Sequence, residues 1–313
     1  MPRLGQTDLD VFGLCLGGNV FGWTADERGS FAVLDAYSQA GGNFVDTANS
    51  YLVKGGESET IIGDWMADRG NRDQIVLATK VGSSKENIAG EEGLSPDHVA
   101  KAVRSSLRRL RTDRIDLLYA HKQDRETPLE HTLRAFDQLV REGVVRHIGF
   151  SNHTAEQIEE AIAITEREDL APIRVLQDHY NLLERGYEEA LAPVVAAHGL
   201  VEAPYFGLAK GFLTGKYRPG GDAVESRRAQ SAGAYLEDPR GIAVLEALDE
   251  IAHDRRVSLA AVALAWLRTR PGVVAPIASA RTPEQLAEIL PSAELELSAL
   301  EADRLTAAGQ AAV

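Results

Sequence analysis

The sequence holds one cysteine, Cys15, which excludes an internal disulfide and fits a reducing compartment. It lies within the apolar stretch FGLCLGG and so reads as a small core residue rather than a nucleophile. Long apolar runs are also missing. The longest, Val257 to Leu267, is interrupted by Ser258 and falls short of the ~18 residues that a membrane span needs. The opening stretch MPRLGQTDLD has no apolar signal core, so a cytoplasmic protein is expected. Positive charge is scarce: 33 Lys and Arg stand against 47 Asp and Glu, a formal net charge of −14. Such a surface repels nucleic-acid phosphates and anionic lipids, so neither nucleic acid nor membrane is an expected partner. The basic cluster from Arg104 to Arg114 has Leu107 and Leu110 between its charges and reads as a solvated helix face.

What is present is a rhythm of short apolar runs, each followed by a helical pattern. The runs are GLCLGGN (13–19), NFVDTA (43–48), QIVLATKV (74–81), RIDLLYAH (114–121), RHIGFSN (146–152), RVLQDHYN (174–181), LVEAPYF (200–206) and VVAPIAS (273–279). Their continuous hydrophobicity predicts parallel strands buried on both faces. Eight strand–helix units predict a closed (β/α)8 barrel forming a single domain over residues 1–313. A doubly wound open sheet is the alternative, but no GxGxxG follows the first strand. Ser95-Pro96 and Thr282-Pro283 each read as an N-cap before a first-turn proline. RLGQTDLDVFGL predicts an amino-terminal hairpin turned at Gln6-Thr7-Asp8 that closes the lower end of the barrel. The segment 218–241, between strands seven and eight, is rich in glycine and charge, and reads as either a disordered insertion or an active-site lid.

Barrel enzymes build their sites where the strands end. Those ends carry Asp46, Lys80, His121, Ser151-Asn152, Gln177, Tyr205 and Ser279. Each has an ordinary explanation when taken alone. Asp46 caps a turn, Tyr51 packs, Lys80 reaches solvent, His121 is a satisfied core histidine and Asn152 caps a helix. Their convergence on one rim predicts a site.

The motifs FVDTA…Y, LATKVG, DLLYAH, GFSNH, QDHYN, GFLTGKY and ARTPEQL, in this order and spacing, resemble the aldo-keto reductases across essentially the whole chain. The resemblance implies a nicotinamide cofactor, no metal, a small carbonyl substrate and a catalytic tetrad of Asp46, Tyr51, Lys80 and His121. Carbonyl reduction leaves negative charge on oxygen, so a proton donor is needed. A free tyrosine, with a pKa of about 10, is a poor match to neutral pH. A lysine cation beside the phenol is expected to lower that value, with Asp46 holding Lys80 charged and His121 donating to the substrate oxygen.

The resemblance also implies cofactor contacts. Ser151, Asn152 and Gln177 would hold the carboxamide, and Tyr205 would stack on the ring or simply pack. Gly18, Asn19 and Val20 would border the cleft. Phe206, Gly207, Leu208, Ala209, Lys210 and Gly211 would run along the pyrophosphate, with Lys216 and Arg227 helping. Ser279, Arg281, Gln285 and Glu288 would take the adenosine end. Arg281 ahead of a helix start favours the 2′-phosphate of NADPH over NADH, which is not excluded. The family often has glycine where Ser279 stands, asparagine where Ile289 stands and Ser-Pro where Phe206-Gly207 stands. Phe21 and Trp23 either wall a substrate pocket or pack the rim.

A nucleotide-binding regulatory subunit on the same barrel, like the potassium-channel β-subunits, is the main alternative. A Schiff-base aldolase using Lys80 is a further one. The choice between monomer and homo-oligomer is left open.

Overall fold

The computed structural model describes residues 1–51, 56–83, 93–221 and 229–310. Eight parallel strands form one sheet: β1 (Cys15–Gly17), β2 (Phe44–Asp46), β3 (Val76–Val81), β4 (Ile115–Ala120), β5 (Val145–Ser151), β6 (Ile173–Gln177), β7 (Val201–Glu202) and β8 (Ile277–Ala278). Each falls on one of the eight apolar runs, with β5 and β6 starting one residue ahead of theirs. The order β7-β6-β5-β4-β3-β2-β1-β8 curls the sheet round. The N–H groups of Val274 and Ile277 donate to the carbonyls of Glu202 and Pro204, at 3.0 and 2.8 Å, so the two edges meet and the barrel closes.

The period-two alternation of a strand explains both cores. One set of positions faces the helices: Leu16, Val45, Leu77, Leu118 and Leu176 pack with helical side chains such as Leu34, Trp65 and Phe136. The other set, including Cys15, Phe44, Val76, Ala78, Leu117, Tyr119 and Val175, fills the barrel interior. Tyr119 fits because position 149 is glycine: a Cβ there would lie 2.4 Å from the tyrosine ring.

The amino-terminal hairpin forms as expected. Arg3 and Asp10 pair as an antiparallel bridge, and Leu4 N–H donates to Leu9 O at 2.8 Å. Leu4, Leu9 and Val11 enter the interior core from below. Asp8 accepts hydrogen bonds from Arg146 and pairs with His147, both near the start of β5.

Helices α1 (Glu27–Gln39), α2 (Glu57–Arg69), α3 (Pro96–Leu110), α4 (Leu129–Arg141) and α5 (Ala155–Glu168) follow β1 to β5 in turn. Ser95 caps α3 as read, its hydroxyl accepting from His98 N–H. Two short helices, α6 (Gly186–Ala190) and α7 (Ala192–His198), follow β6. The long interval after β7 holds a 3-10 turn (Ala209–Thr214), α8 (Ala229–Gly233), α9 (Pro239–Arg255) and α10 (Leu259–Arg268). After β8 come α11 (Pro283–Ile289) and α12 (Ala299–Gln310).

Outside 222–228, which are not among the described residues, the 218–241 segment packs against the rest of the chain. Ala232 is fully buried, the Tyr235 ring lies tilted against Phe212, and Arg218 forms a two-pronged ion pair with Asp249. Arg227 lies outside the described residues. Among the described residues no helix is long and apolar enough to cross a membrane.

Candidate active site

The inward-facing alternation does not stop at the interior core. Two residues beyond Phe44 comes Asp46, and two beyond Ala78 comes Lys80. Two beyond Tyr119 comes His121, and two beyond Val175 comes Gln177. The same period that packs the apolar interior therefore lifts a ring of polar groups onto the carboxy-terminal rim. That is where barrel proteins carry their sites.

At its centre is the Lys80 ammonium, fully buried. It donates to Asp46 Oδ2 at 2.5 Å, to Thr47 O at 2.7 Å and to Tyr51 Oη at 3.2 Å. Gln177 Nε2 donates to the other Asp46 oxygen at 2.9 Å, so the carboxylate is satisfied on both sides. Burial opposes the ammonium, but the Asp46 carboxylate and the Tyr51 hydroxyl outweigh it and hold the Lys80 pKa above its usual value.

The phenol departs from expectation. Burial pushes the Tyr51 pKa above its ordinary value, and the nearby Lys80 cation lowers it by less. Tyr51 is therefore protonated at neutral pH. His121 lies edge-on to it, ring centroids 6.1 Å apart. Burial, then the Lys80 and Lys122 charges, push the His121 pKa down to about 3, which keeps the imidazole neutral. Its Nδ1 is buried with no hydrogen-bond partner.

A cavity of about 730 Å³ opens from this group and runs across the rim. At the near end it meets Tyr51, His121, Ser151, Asn152, Gln177 and Tyr205. The Tyr205 hydroxyl donates to Asn152 Oδ1 at 2.7 Å, and Asn152 Nδ2 donates to His121 O at 2.9 Å. Phe206, Gly207, Leu208, Lys210 and Gly211 line the middle, with the exposed Lys216 beside them. Phe206, Ala209 and Lys210 have φ of 54, 46 and 59°, a left-handed conformation that costs energy for residues other than glycine. Such backbone turns N–H groups into a concavity suited to anions.

At the far end lie Ser279, Arg281, Gln285 and Glu288. Ser279 donates to Asn19 Oδ1 at 2.6 Å, tying the end of β8 to the loop after β1. A side chain at Gly17 would meet that hydroxyl at 2.7 Å. Arg281 is exposed, and among the described residues its guanidinium has no ion-pair partner. The helix behind it has only seven residues, so the guanidinium itself is the stronger attraction for an anion.

Three candidates fall elsewhere. Phe21 is fully buried in the core outside the barrel, whereas Trp23 does line the cavity. Ala209 is also fully buried. Gly18 is buried and acts through its backbone, donating to Asp46 O at 2.7 Å. Conversely, Gly17, Thr24 and Ala260 line the cavity although the sequence reading passed over them. Thr24 Oγ1 is buried without a partner, the kind of orphan that a bound group satisfies.

Sequence reading also passed over a pair of buried carboxyl groups under the near end, Asp178 and Glu202. The Asp178 N–H donates to Glu202 Oε1 at 2.8 Å.

Fold and rim together define an α/β-barrel protein whose working end is the carboxy-terminal rim. Within that class the chain belongs to the Aldo/keto reductase family, which matches residues 13–310. It is 33% identical over 301 residues to a norsolorinic acid reductase of Aspergillus flavus, covering 91% of this chain and 74% of that protein. It is 35% identical over 304 residues to the uncharacterized oxidoreductase YrpG of Bacillus subtilis, covering 94% and 91%. It is also 35% identical over 301 residues to a probable voltage-gated potassium channel subunit beta of Oryza sativa, covering 91% and 88%.

Proposed function

We propose that this chain reduces aldehydes or ketones to alcohols with NADPH, Tyr51 acting as general acid. The observation that carries this reading is the buried Lys80 ammonium, anchored by Asp46 and touching the Tyr51 hydroxyl at the mouth of the cavity. When bound, the nicotinamide supplies the hydride. The rest of the chemistry falls to side chains. As negative charge grows on the substrate oxygen, Tyr51 gives it the proton, and the phenolate left behind rests against the Lys80 cation.

A phenol that stays protonated at neutral pH supports the role of proton donor. His121 is neutral, with a free Nδ1. That supports a role in orienting the carbonyl oxygen rather than in supplying the proton. Ser151, Asn152 and Gln177 suit the carboxamide, and Tyr205 offers an aromatic face for the ring. The unpaired Arg281 guanidinium suits a 2′-phosphate, which it can meet with two parallel hydrogen bonds.

Similarity to the rice channel subunit favours a second reading, in which the same barrel binds nucleotide in the service of a protein partner. The aldolase reading is opposed by Asp46, which keeps the Lys80 amine charged and therefore non-nucleophilic.

One experiment separates all three. A panel of aldehydes and ketones is assayed with NADPH and with NADH, alongside borohydride trapping. Carbonyl-dependent oxidation of NADPH supports the reductase. Cofactor binding without turnover on any carbonyl favours the regulatory reading. A trapped adduct on Lys80 would overturn both.

A further inference from the structure

Asp178 sits directly behind two side chains that face the near end of the cavity. Its Oδ1 accepts the Asn152 N–H at 3.0 Å, at a residue held in the left-handed region with φ of 58°. Its backbone carbonyl accepts the Tyr205 N–H, also at 3.0 Å. Since the Tyr205 hydroxyl bonds to Asn152 Oδ1, the three residues form a closed ring of contacts. Glu202, on the neighbouring strand, holds Asp178 from below.

Neither carboxyl group has an ion-pair partner among the described residues, and Glu202 Oε2 is buried with no hydrogen bond. Two acidic groups buried in contact are costly without a cation, so selection for packing alone gives no reason to place both there. They lie behind Asn152 and Tyr205, which line the near end of the cavity, and a nicotinamide ring held there carries a positive charge only when oxidised.

We propose that Asp178 is a positioning residue for the nicotinamide end of the cavity, fixing Asn152 against Tyr205 and lending a buried carboxylate that favours the cationic, oxidised ring, with Glu202 as its buried partner. The inference rests on the functional reading above.

Burial pushes the Asp178 pKa up to about 7, against the pull of the Asn152 N–H. Burial and the Asp178 charge push Glu202 well above the usual carboxylate range, so Glu202 stays protonated. The other titratable groups around the pair are Tyr119 from β4, Tyr187 from α6 and Tyr205 from the loop after β7. All three are raised by burial and stay neutral. His179, next in the chain, is lowered by burial and is likewise neutral above its usual range. Asp178 is thus the group of this cluster that changes charge near neutrality. As pH rises, the carboxylate appears and the oxidised cofactor gains affinity relative to the reduced one.

The test compares dissociation constants of NADP+ and NADPH for the full chain at pH 6 and pH 8. The 2′-phosphate is common to both cofactors, so its titration cancels in the ratio. In the wild type, Kd for NADPH divided by Kd for NADP+ should rise roughly tenfold from pH 6 to pH 8. Asp178→Asn keeps the oxygen that accepts from Asn152 but cannot ionise, and should flatten the ratio to within about twofold. Asp178→Ala should weaken both cofactors by about tenfold, with the asparagine variant restoring most of the loss for NADPH. A wild-type ratio that does not move with pH, or an asparagine variant that follows the wild-type slope, overturns the inference and leaves the functional reading standing. A wild-type chain that binds neither cofactor overturns the reading and the inference together.

Discussion

The two ends of the barrel handle buried charge in opposite ways. At the lower end Asp116, almost fully buried near the start of β4, is surrounded by donors. Arg72 and Arg146 pair with it at 2.8 and 2.9 Å, and the Leu77 N–H adds a third bond at 2.9 Å. At the upper end, among the described residues, several buried polar atoms are left over: His121 Nδ1, Thr24 Oγ1, Asn49 Oδ1 and Glu202 Oε2, whereas near the start of β3 at the lower end Asn71 Oδ1 is one such atom. The backbone tells the same story. Left-handed residues such as Arg111, Asp169 and Arg256 close helices on the lower side, which is an ordinary way to end them. Asn152, Phe206 and Lys210 adopt that conformation against the cavity. The lower end spends most of its polar groups on holding the barrel shut, while the upper end keeps more of them unspent for a visitor.

The sharpest way to break this comparison is Tyr51→Phe. Removing one hydroxyl from the upper end should cost about 10²–10⁴ in carbonyl reduction, measured in a single turnover, while cofactor titration still shows binding. A variant that keeps more than about a third of wild-type turnover means Tyr51 is not the acid. Next in size is Asp116→Ala at the lower end. It leaves the Leu77 N–H without its acceptor and takes one buried partner from each of two arginines, and should cost about 2–3 kcal/mol in denaturant unfolding. Its turnover per folded molecule should match the wild type, and a selective loss of turnover would erase the division between the ends.

Arg281→Ala should weaken NADPH about ten- to a hundredfold and barely affect NADH, read by calorimetric titration with each cofactor. Equal losses would mean the guanidinium does not read the 2′-phosphate. The smallest effect is at Asp8. Hydrogen bonds from His147 and Arg146 lower its pKa from 3.8 to about 2. Because the folded value is depressed, the stabilisation is present above about pH 4 and lost as pH falls toward 2. Asp8 is mostly exposed, so less than about 1 kcal/mol is at stake. Asp8→Asn should flatten the stability curve over that window, and an unchanged acid limb would show that the contacts contribute nothing.

The sequence made the strands legible because a parallel strand buried on both faces leaves a continuous apolar run. The meeting of Asp46 with Lys80 was legible too, since both end adjacent strands and point inward. Other features were out of reach for physical reasons. Phe21 and Trp23 stand two apart in one loop, yet one is fully buried and the other faces the cavity, because a turn has no fixed period. Ala260 carries no chemical signal, and only the docking of α10 brings it to the cavity wall. The Tyr51 phenol was expected to fall toward neutrality beside a cation. How strongly burial opposes that depends on everything packed around the ring, which no local motif records. Asp178, just past the end of β6, and Glu202, on β7, lie 24 residues apart, and neither sits in a pattern that announces the other.

The amino-terminal hairpin has a consequence in time. Residues 3–11 precede every strand of the barrel, but the floor they occupy is made of chain that comes much later. Leu4, Leu9 and Val11 share the interior core with Val201, Ala275 and Ile277, while Gln6 accepts from Arg174, 168 positions away. A nascent chain emerging from the ribosome therefore exposes this greasy stopper early and must hold it unplaced until the last staves arrive. Its glutamine, threonine and aspartates keep that waiting segment wet. A segment made ahead of every strand is among the last to be secured.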